Sequence, residues 1–141
     1  MSLHRYVSAC LACLLLGTVL HVKPAAAGQA IPILVYHRFD PAKSALTTIP
    51  VPVFEQQLDW LNAHHYHVVP LRAVTAWLVG TGPTPASPAV VITVDDGHIS
   101  DFTQLYPIIL RRHLPVTLFI YPSAISNASY ALTWVQLMQM Q

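Results

Sequence analysis

Charged side chains are scarce in this sequence. Lys, Arg, Asp and Glu make up 9% of its 141 residues, and seven basic residues against six acidic ones leave a formal net charge of +1. A nucleic-acid-binding protein would show a clustered basic excess, so that class is excluded. Hydrophobic residues make up 54% of the sequence. This excludes a disordered chain, because disorder requires low hydrophobicity and high net charge.

An uncharged run near the N-terminus, Tyr6 to Val22, contains part of the hydrophobic excess. It follows a weakly basic start and precedes Ala25-Ala26-Ala27, which fits the small-residue rule of signal peptidase. We predict that residues 1–27 are a signal peptide cleaved before Gly28, which makes this an exported protein with no stable membrane span. The alternative is an uncleaved anchor helix, for which the run is at the short end of the roughly 17–25 residues that a span needs.

Cysteine would be absent from the mature part, residues 28–141. Its two copies, Cys10 and Cys13, both lie within the predicted signal peptide. The mature part could then hold neither a disulfide nor a thiolate zinc site. Any metal would have to be bound by His, Asp or Glu side chains.

Short apolar runs alternate with segments of helical spacing along the mature part. The predicted strands are at 31–39, 67–71, 89–94 and 115–121. The predicted helices are at 53–65, at 71–79, from Ser100 as N-cap with a kink or break at Pro107, and at 132–140. Loops are predicted at 40–52, 80–88 and 122–131. This alternation predicts an α/β fold with a parallel sheet and right-handed crossovers.

The strongest predicted strand, Ala89 to Val94, runs directly into Asp95, Asp96 and Gly97. Two adjacent carboxylates at the rim of an apolar core repel each other, and a bound cation would relieve that cost. Neighbouring strand residues point to opposite faces, so the two can have different tasks. Parallel α/β proteins place their chemistry at the C-terminal ends of strands, where His37 also lies. A plain turn, with Asp as a cap and Gly as a turn former, is the alternative.

The segment VITVDDG resembles the TFDDG signature of the polysaccharide deacetylases, also called NodB-homology or carbohydrate esterase family 4 enzymes. The segments ILVYHRF and VFEQQLDWL resemble the first strand and first helix of the poly-N-acetylglucosamine deacetylase branch. PVTLFI and LTWVQL resemble the strand and helix after the Asp pair. The resemblance covers roughly Ile31 to Gln141. It implies the N-terminal half of a deformed (β/α) barrel, in a bacterial enzyme that removes N-acetyl groups from an extracellular or cell-wall polysaccharide.

The same resemblance implies a role for each candidate site residue. Asp95 would be the general base that takes a proton from a metal-bound water. Asp96 would be a ligand of a divalent metal, zinc by the family pattern. His37 and Tyr121 are implied as pocket or substrate-binding residues, although the more ordinary role of Tyr121 is that of a buried tyrosine with a satisfied hydroxyl. His98 is assigned only to the turn.

The family's remaining metal ligands, a His-Ser/Thr-x-x-His pair, have no match here, because none of the eight histidines lies four residues from another. The chain is therefore expected to be a C-terminally truncated domain, and these residues alone are not expected to be active. One alternative is an inactive secreted remnant that at most binds glycan. Another is a metal-binding module formed by His64, His65 and His67, although histidines at a helix C-terminus more often serve the helix dipole.

Overall fold

The computed structural model describes residues 30–141. The predicted signal peptide, residues 1–27, and both cysteines lie outside the described residues. Within 30–141, no helix is both long enough and apolar enough to cross a bilayer.

A parallel sheet built around one strand forms the centre of the fold. The central strand, β5 (Ala89–Asp96), pairs with β1 (Ile33–Tyr36) through its residues 91–94 and with β6 (Val116–Ile120) through 92–96. A short strand, β4 (His67–Val68), pairs with the first two residues of β5. All three pairings are parallel, as predicted. Residues 89–94 are at most 3% exposed, as expected for a strand covered on both faces.

Four α-helices follow or connect these strands, namely α1 (Val51–Ala63), α2 (Leu71–Leu78), α3 (Tyr106–Arg112) and α4 (Trp134–Gln139). α1 begins two residues before its predicted start, because Pro52 fits the first turn, where its missing N–H is not needed. The predicted break at Pro107 is a change of helix type. Residues 101–105 form a π-helical turn, and Pro107 lies in the first turn of α3.

The N-terminal apolar run forms two strands rather than the single strand predicted over 31–39. β1 ends at Tyr36, and after His37 a second strand, β2 (Arg38–Asp40), pairs with β3 (Thr48–Pro50) inside the predicted loop. This division turns Phe39 into the core, where it is 3% exposed and its ring centroid lies 5.0 Å from that of Phe54. The single-strand prediction was wrong because such short pairings depend on contacts between distant segments.

Two apolar clusters support the sheet. The larger joins β2, β5, α1, the π-helical turn and α3, and its buried members are Phe39, Phe54, Leu58, Leu61, Val90, Ile92, Val94, Leu105 and Ile108. The smaller lies mainly in the segment predicted as a loop, and its buried members are Ala124, Ile125, Ala131 and Leu132. Burial of Ile125 and Leu132 stabilises this segment by roughly 2 kcal/mol for each side chain. The 122–131 segment is therefore a packed part of the fold.

The outer edges of the sheet are open within the described residues. β1 and β6 each pair with β5 alone. Apolar side chains on these strands are about half exposed, at 49% for Ile33, 51% for Val35 and 52% for Phe119. Open parallel edges flanked by apolar side chains are what a part of a (β/α) barrel presents.

Candidate catalytic pocket

The two carboxylates lie where β5 ends in a left-handed turn. Asp95 is half-buried and pairs in register with Phe119 of β6, whereas Asp96 is exposed. Asp96 has φ of 75° and Gly97 has φ of 69°, so two consecutive residues adopt a conformation that L side chains rarely take. A Cβ on Gly97 would lie 3.1 Å from Ile125 Cδ1 and 3.2 Å from Ile120 Cγ2. Glycine is therefore required by both conformation and space.

This turn opens into a cavity of about 240 Å³ at the C-terminal end of the sheet. The cavity is lined by Arg38, Asp96, His98, Tyr121, Ala124 and Tyr130. It therefore combines one carboxylate, one guanidinium, one imidazole and two phenols. The 122–131 segment forms its far wall and is held against the turn, because Ile99 N donates to Tyr130 O at 2.8 Å and Leu132 N donates to Gly97 O at 2.9 Å.

Of the four predicted site residues, Asp96 and Tyr121 line this cavity, whereas Asp95 and His37 do not. His37 follows Tyr36, whose register partner on β5 is Val94, so it lies at the level of Asp95 on the neighbouring strand. Tyr121 is 64% exposed, so the expectation of a buried tyrosine was wrong. Its side chain instead forms part of the cavity wall. The carboxylate pair and both accessory residues thus lie at the same end of the sheet.

His98 lines the cavity although the sequence assigned it only to the turn. Burial, and then the nearby Arg38 guanidinium, lower the pKa of His98 below its ordinary value, while Asp96 offsets part of that effect. Its ring stacks on Tyr130, with centroids 6.5 Å apart and planes 14° from parallel. The sequence could have indicated this role of His98 only through its position, since it lies two residues after Asp96 and directly after the Asp96–Gly97 turn.

Ser100 does not cap the following helix as predicted. Its backbone is already helical, and its side chain makes no capping hydrogen bond. Its hydroxyl instead accepts a hydrogen bond from Phe39 N at 3.0 Å and lies 2.8 Å from His98 Nδ1. Ser100 therefore connects β2 to the wall of the cavity.

Asp101 is the second residue that the sequence analysis missed. Its side chain is fully buried, and neither carboxylate oxygen has a hydrogen-bond partner among the described residues. Burial raises the pKa of Asp101 from 3.8 to about 8. The backbone of His98 lowers this pKa in part, and the negative charge of Asp96 raises it. Nothing in the sequence distinguishes Asp101 from an ordinary acidic residue in the first turn of a helix.

A larger cavity, of about 590 Å³, lies elsewhere, along the open edge of β1 against α1. Its lining is mainly apolar, with Ile33, Val35 and Trp60 among its residues and Tyr36 as its one titratable group. The Tyr36 hydroxyl is already engaged, because it donates to Gln57 Oε1 at 2.8 Å. This groove holds no group suited to hydrolysis, so the smaller cavity at the carboxylates is the candidate site.

The described residues do not by themselves form a metal centre. Within 30–141, no three His, Cys, Asp or Glu side chains come together as a ligand set. His64 is the C-cap of α1, with Nδ1 2.8 Å from Trp60 O and its ring stacked on the Trp60 indole at a centroid distance of 4.0 Å. His65 and His67 also lie near the amino end of the sheet, so this cluster fits the helix-end interpretation rather than a metal-binding module.

The comparison with curated proteins links the chain to a deacetylase. YxkH of Bacillus subtilis (strain 168), which is provisionally named a polysaccharide deacetylase, is 26% identical over 110 residues, covering 78% of this chain and 38% of YxkH. No family model matches the chain.

Three solved structures have a similar fold. The Streptococcus pyogenes deacetylase PplD, determined in complex with acetate, has a TM-score of 0.69 and 25% identity, covering 78% of this chain and 51% of PplD. A de-N-acetylase from Aggregatibacter actinomycetemcomitans has a TM-score of 0.66 and 22% identity, covering 78% and 50%. IcaB from Ammonifex degensii has a TM-score of 0.66 and 23% identity, covering 79% and 49%. The chain spans about half the length of these three proteins. Their similar fold confirms the predicted half-barrel, and the similarity to YxkH and PplD confirms the predicted resemblance.

The crowding at Gly97 predicts a difference between two glycine substitutions. Gly80 also has a positive φ, of 74°, but a Cβ there would meet nothing within 4 Å. Gly80→Ala should therefore lower the free energy of unfolding by roughly 1–2 kcal/mol, from the conformation alone. Gly97→Ala should cost roughly 1 kcal/mol more, because Ile120 and Ile125 must also shift. Urea denaturation measures both, and equal losses would show that the space around Gly97 is not limiting.

Asp101 predicts a pH dependence of stability. Its folded-state pKa of about 8 lies above the 3.8 of an unperturbed Asp, so the unfolded chain releases this proton first as pH rises. The free energy of unfolding should fall from about pH 4 to about pH 8, by roughly 3 kcal/mol between pH 5 and pH 7, and then level off. Asp101→Asn should remove this fall in urea denaturation, whereas the exposed Asp59→Asn should retain it. An unchanged slope in Asp101→Asn would contradict the assignment.

Proposed function

We propose that this chain is the N-terminal part of a NodB-type polysaccharide deacetylase domain and that it belongs to an enzyme that removes N-acetyl groups from a polysaccharide. The observation that carries the proposal is the pair Asp95 and Asp96 at the C-terminal end of the buried strand β5. Asp96 opens into a cavity that also offers Arg38 and His98. YxkH is similar in sequence over 78% of this chain, and PplD has a similar fold over 78% of it.

Asp95 is proposed as the general base. It is half-buried at the strand end and has no ion-pair partner among the described residues, so its carboxylate is free to accept a proton. In amide hydrolysis, a water molecule attacks the acetamide carbonyl and gives its proton to the base. The C–N bond then breaks, the amine leaves with a proton, and acetate is the second product.

Asp96 is proposed as one ligand of a divalent cation, with zinc as the first candidate. Carboxylate oxygens bind zinc, and a bound metal would supply Lewis acidity at the carbonyl. A catalytic zinc centre takes three protein ligands. Since residues 30–141 contain no such set, the other ligands would have to come from outside the described range.

The proposed substrate is a polymer of N-acetylglucosamine, such as an exopolysaccharide or a peptidoglycan glycan. His37 and Tyr121 are proposed as pocket residues, because both lie at the end of the sheet that carries the carboxylates, and the exposed Tyr121 phenol can pack against a sugar ring. The predicted signal peptide supports a place of action in the periplasm or outside the cell.

Two substitutions separate the proposed roles. In the natural protein that contains this chain, Asp95→Asn should retain its metal but lose acetate release by roughly 10²–10⁴-fold, because an amide cannot accept the proton. Asp96→Ala should lose metal affinity and, with it, activity. Acetate release from N-acetylglucosamine oligomers and metal content by atomic absorption are the two measurements.

Asp59→Asn is the matched control for these variants. Asp59 is an exposed carboxylate on α1, ion-paired with Arg112 at 2.6 Å and placed away from the cavity. Its replacement should leave acetate release and metal content unchanged. Full activity in Asp95→Asn would contradict the proposed base, and sugar binding without acetate release by the unaltered protein would favour a non-catalytic glycan-binding remnant.

A further inference from the structure

The hydrogen bonds around His98 fix which of its ring nitrogens carries the proton. The backbone N–H of Ser100 donates to His98 Nδ1 at 3.1 Å. An N–H group can only donate, so Nδ1 is the acceptor and has no hydrogen of its own. In the neutral ring the proton must then be on Nε2.

The Ser100 hydroxyl reinforces the same arrangement. Its oxygen accepts a hydrogen bond from Phe39 N at 3.0 Å. His98 Nδ1 lies 2.8 Å from the hydroxyl oxygen. As the acceptor of the Ser100 N–H, Nδ1 has one lone pair, which the hydroxyl hydrogen then shares with that N–H in a three-centre hydrogen bond. Hydrogen bonds therefore run from the β2 backbone through Ser100 to the imidazole.

Packing holds the ring in this orientation. One face of the His98 ring stacks on Tyr130, and the backbone of residue 98 forms a bridge to that of Ala131. No described residue is hydrogen-bonded to Nε2, whereas His98 itself lines the cavity beside Asp96. The imidazole is therefore half-exposed, its orientation is fixed by its contacts, and its Nε2–H has no hydrogen-bond acceptor among the described residues.

We propose that His98 is a substrate-positioning residue, whose Nε2–H donates a hydrogen bond to an uncharged oxygen of an N-acetylated sugar in the cavity beside Asp96. The partner oxygen is that of an acetamide carbonyl or a hydroxyl, because a donor N–H has no lone pair for a cation. His98 is thus excluded from the ligands of a metal at Asp96 despite its proximity. The inference rests on the proposed function for the identity of the sugar, but the assignment of the donor stands on this chain's own hydrogen bonds.

Two measurements on the natural protein that contains this chain test the inference. The first is long-range ¹H–¹⁵N NMR of histidine-labelled protein at a pH where the ring is neutral. His98 should show a single Nε2–H tautomer, in contrast to the exposed His113. An Nδ1–H tautomer or a mixture of tautomers at His98 would overturn the assignment. A shift of the His98 ring resonances on addition of Zn²⁺ that is lost in Asp96→Ala would also overturn it.

The second measurement is NMR titration with tetra-N-acetylchitotetraose. His98→Phe keeps a ring to stack on Tyr130 but removes the donor, and should weaken binding by about three- to tenfold, the effect of one neutral hydrogen bond. His98→Gln keeps an N–H donor and should retain affinity close to that of the unaltered chain. Amide spectra of residues in α1 verify that each variant is folded.

The outcomes separate this inference from the proposed function. Equal affinity in His98→Phe and the unaltered chain would overturn the inference and leave the proposed function intact. Weaker binding in both His98 variants would show that the imidazole acts by shape rather than as a donor, which also overturns it. If the unaltered protein does not bind the sugar, the substrate named here is wrong, and the result counts against the proposed function. The NMR measurement of the tautomer would still show whether His98 Nε2 carries the donor hydrogen.

Discussion

β5 is hydrogen-bonded in parallel to β1, β4 and β6, and its residues from Ala89 to Val94 are almost completely buried. Because these pairings are parallel, the C-terminal ends of β1, β5 and β6 lie at the same end of the sheet. The strand can end in two carboxylates only because Asp96 and Gly97 reverse the chain at once, which carries the second carboxylate out of the apolar interior. The candidate site is therefore a consequence of how β5 ends.

Residues that follow the turn form hydrogen bonds that hold the neighbouring segments against it. Ser100 connects β2 to His98, and the segment 122–131 is anchored to the turn by backbone hydrogen bonds and by its own apolar cluster. The cost of this arrangement is visible at Asp101, which is buried without a hydrogen-bond partner in the described part of the chain. A buried acid of this kind lowers stability at neutral pH. Such costs are typical of sites in which function, rather than stability, determines the residue.

Much of the fold could be predicted from the sequence because its main elements are encoded locally. Each of β5 and β6 contains a mainly apolar run, and Phe54, Leu58 and Leu61 of α1 recur at helical spacing and are buried. The pair β2–β3 was missed because strands this short are stabilised by contacts between distant segments. The packed 122–131 segment was missed because Pro, Ser and Asn predict a loop whether or not its few apolar residues are buried.

The candidate site was predictable only in part, and for a related reason. A buried strand that ends in Asp95 and Asp96 is a feature of composition and position, so it is visible in the sequence. The contributions of His98 and Ser100 depend on where the reversing turn places them, and residue identity does not encode that placement. Tyr121 illustrates the same limit, since its place in the pocket wall follows from the exposure of one side chain at the end of β6.

The most direct test of this account is acetate release from an N-acetylglucosamine polymer by the natural protein that contains this chain, before and after removal of divalent metal by a chelator. The account predicts acetate release that stops on chelation and resumes when zinc is restored. Binding of the polymer with no acetate released under either condition would contradict it, and would show that the Asp95 and Asp96 pair has a structural rather than a hydrolytic role.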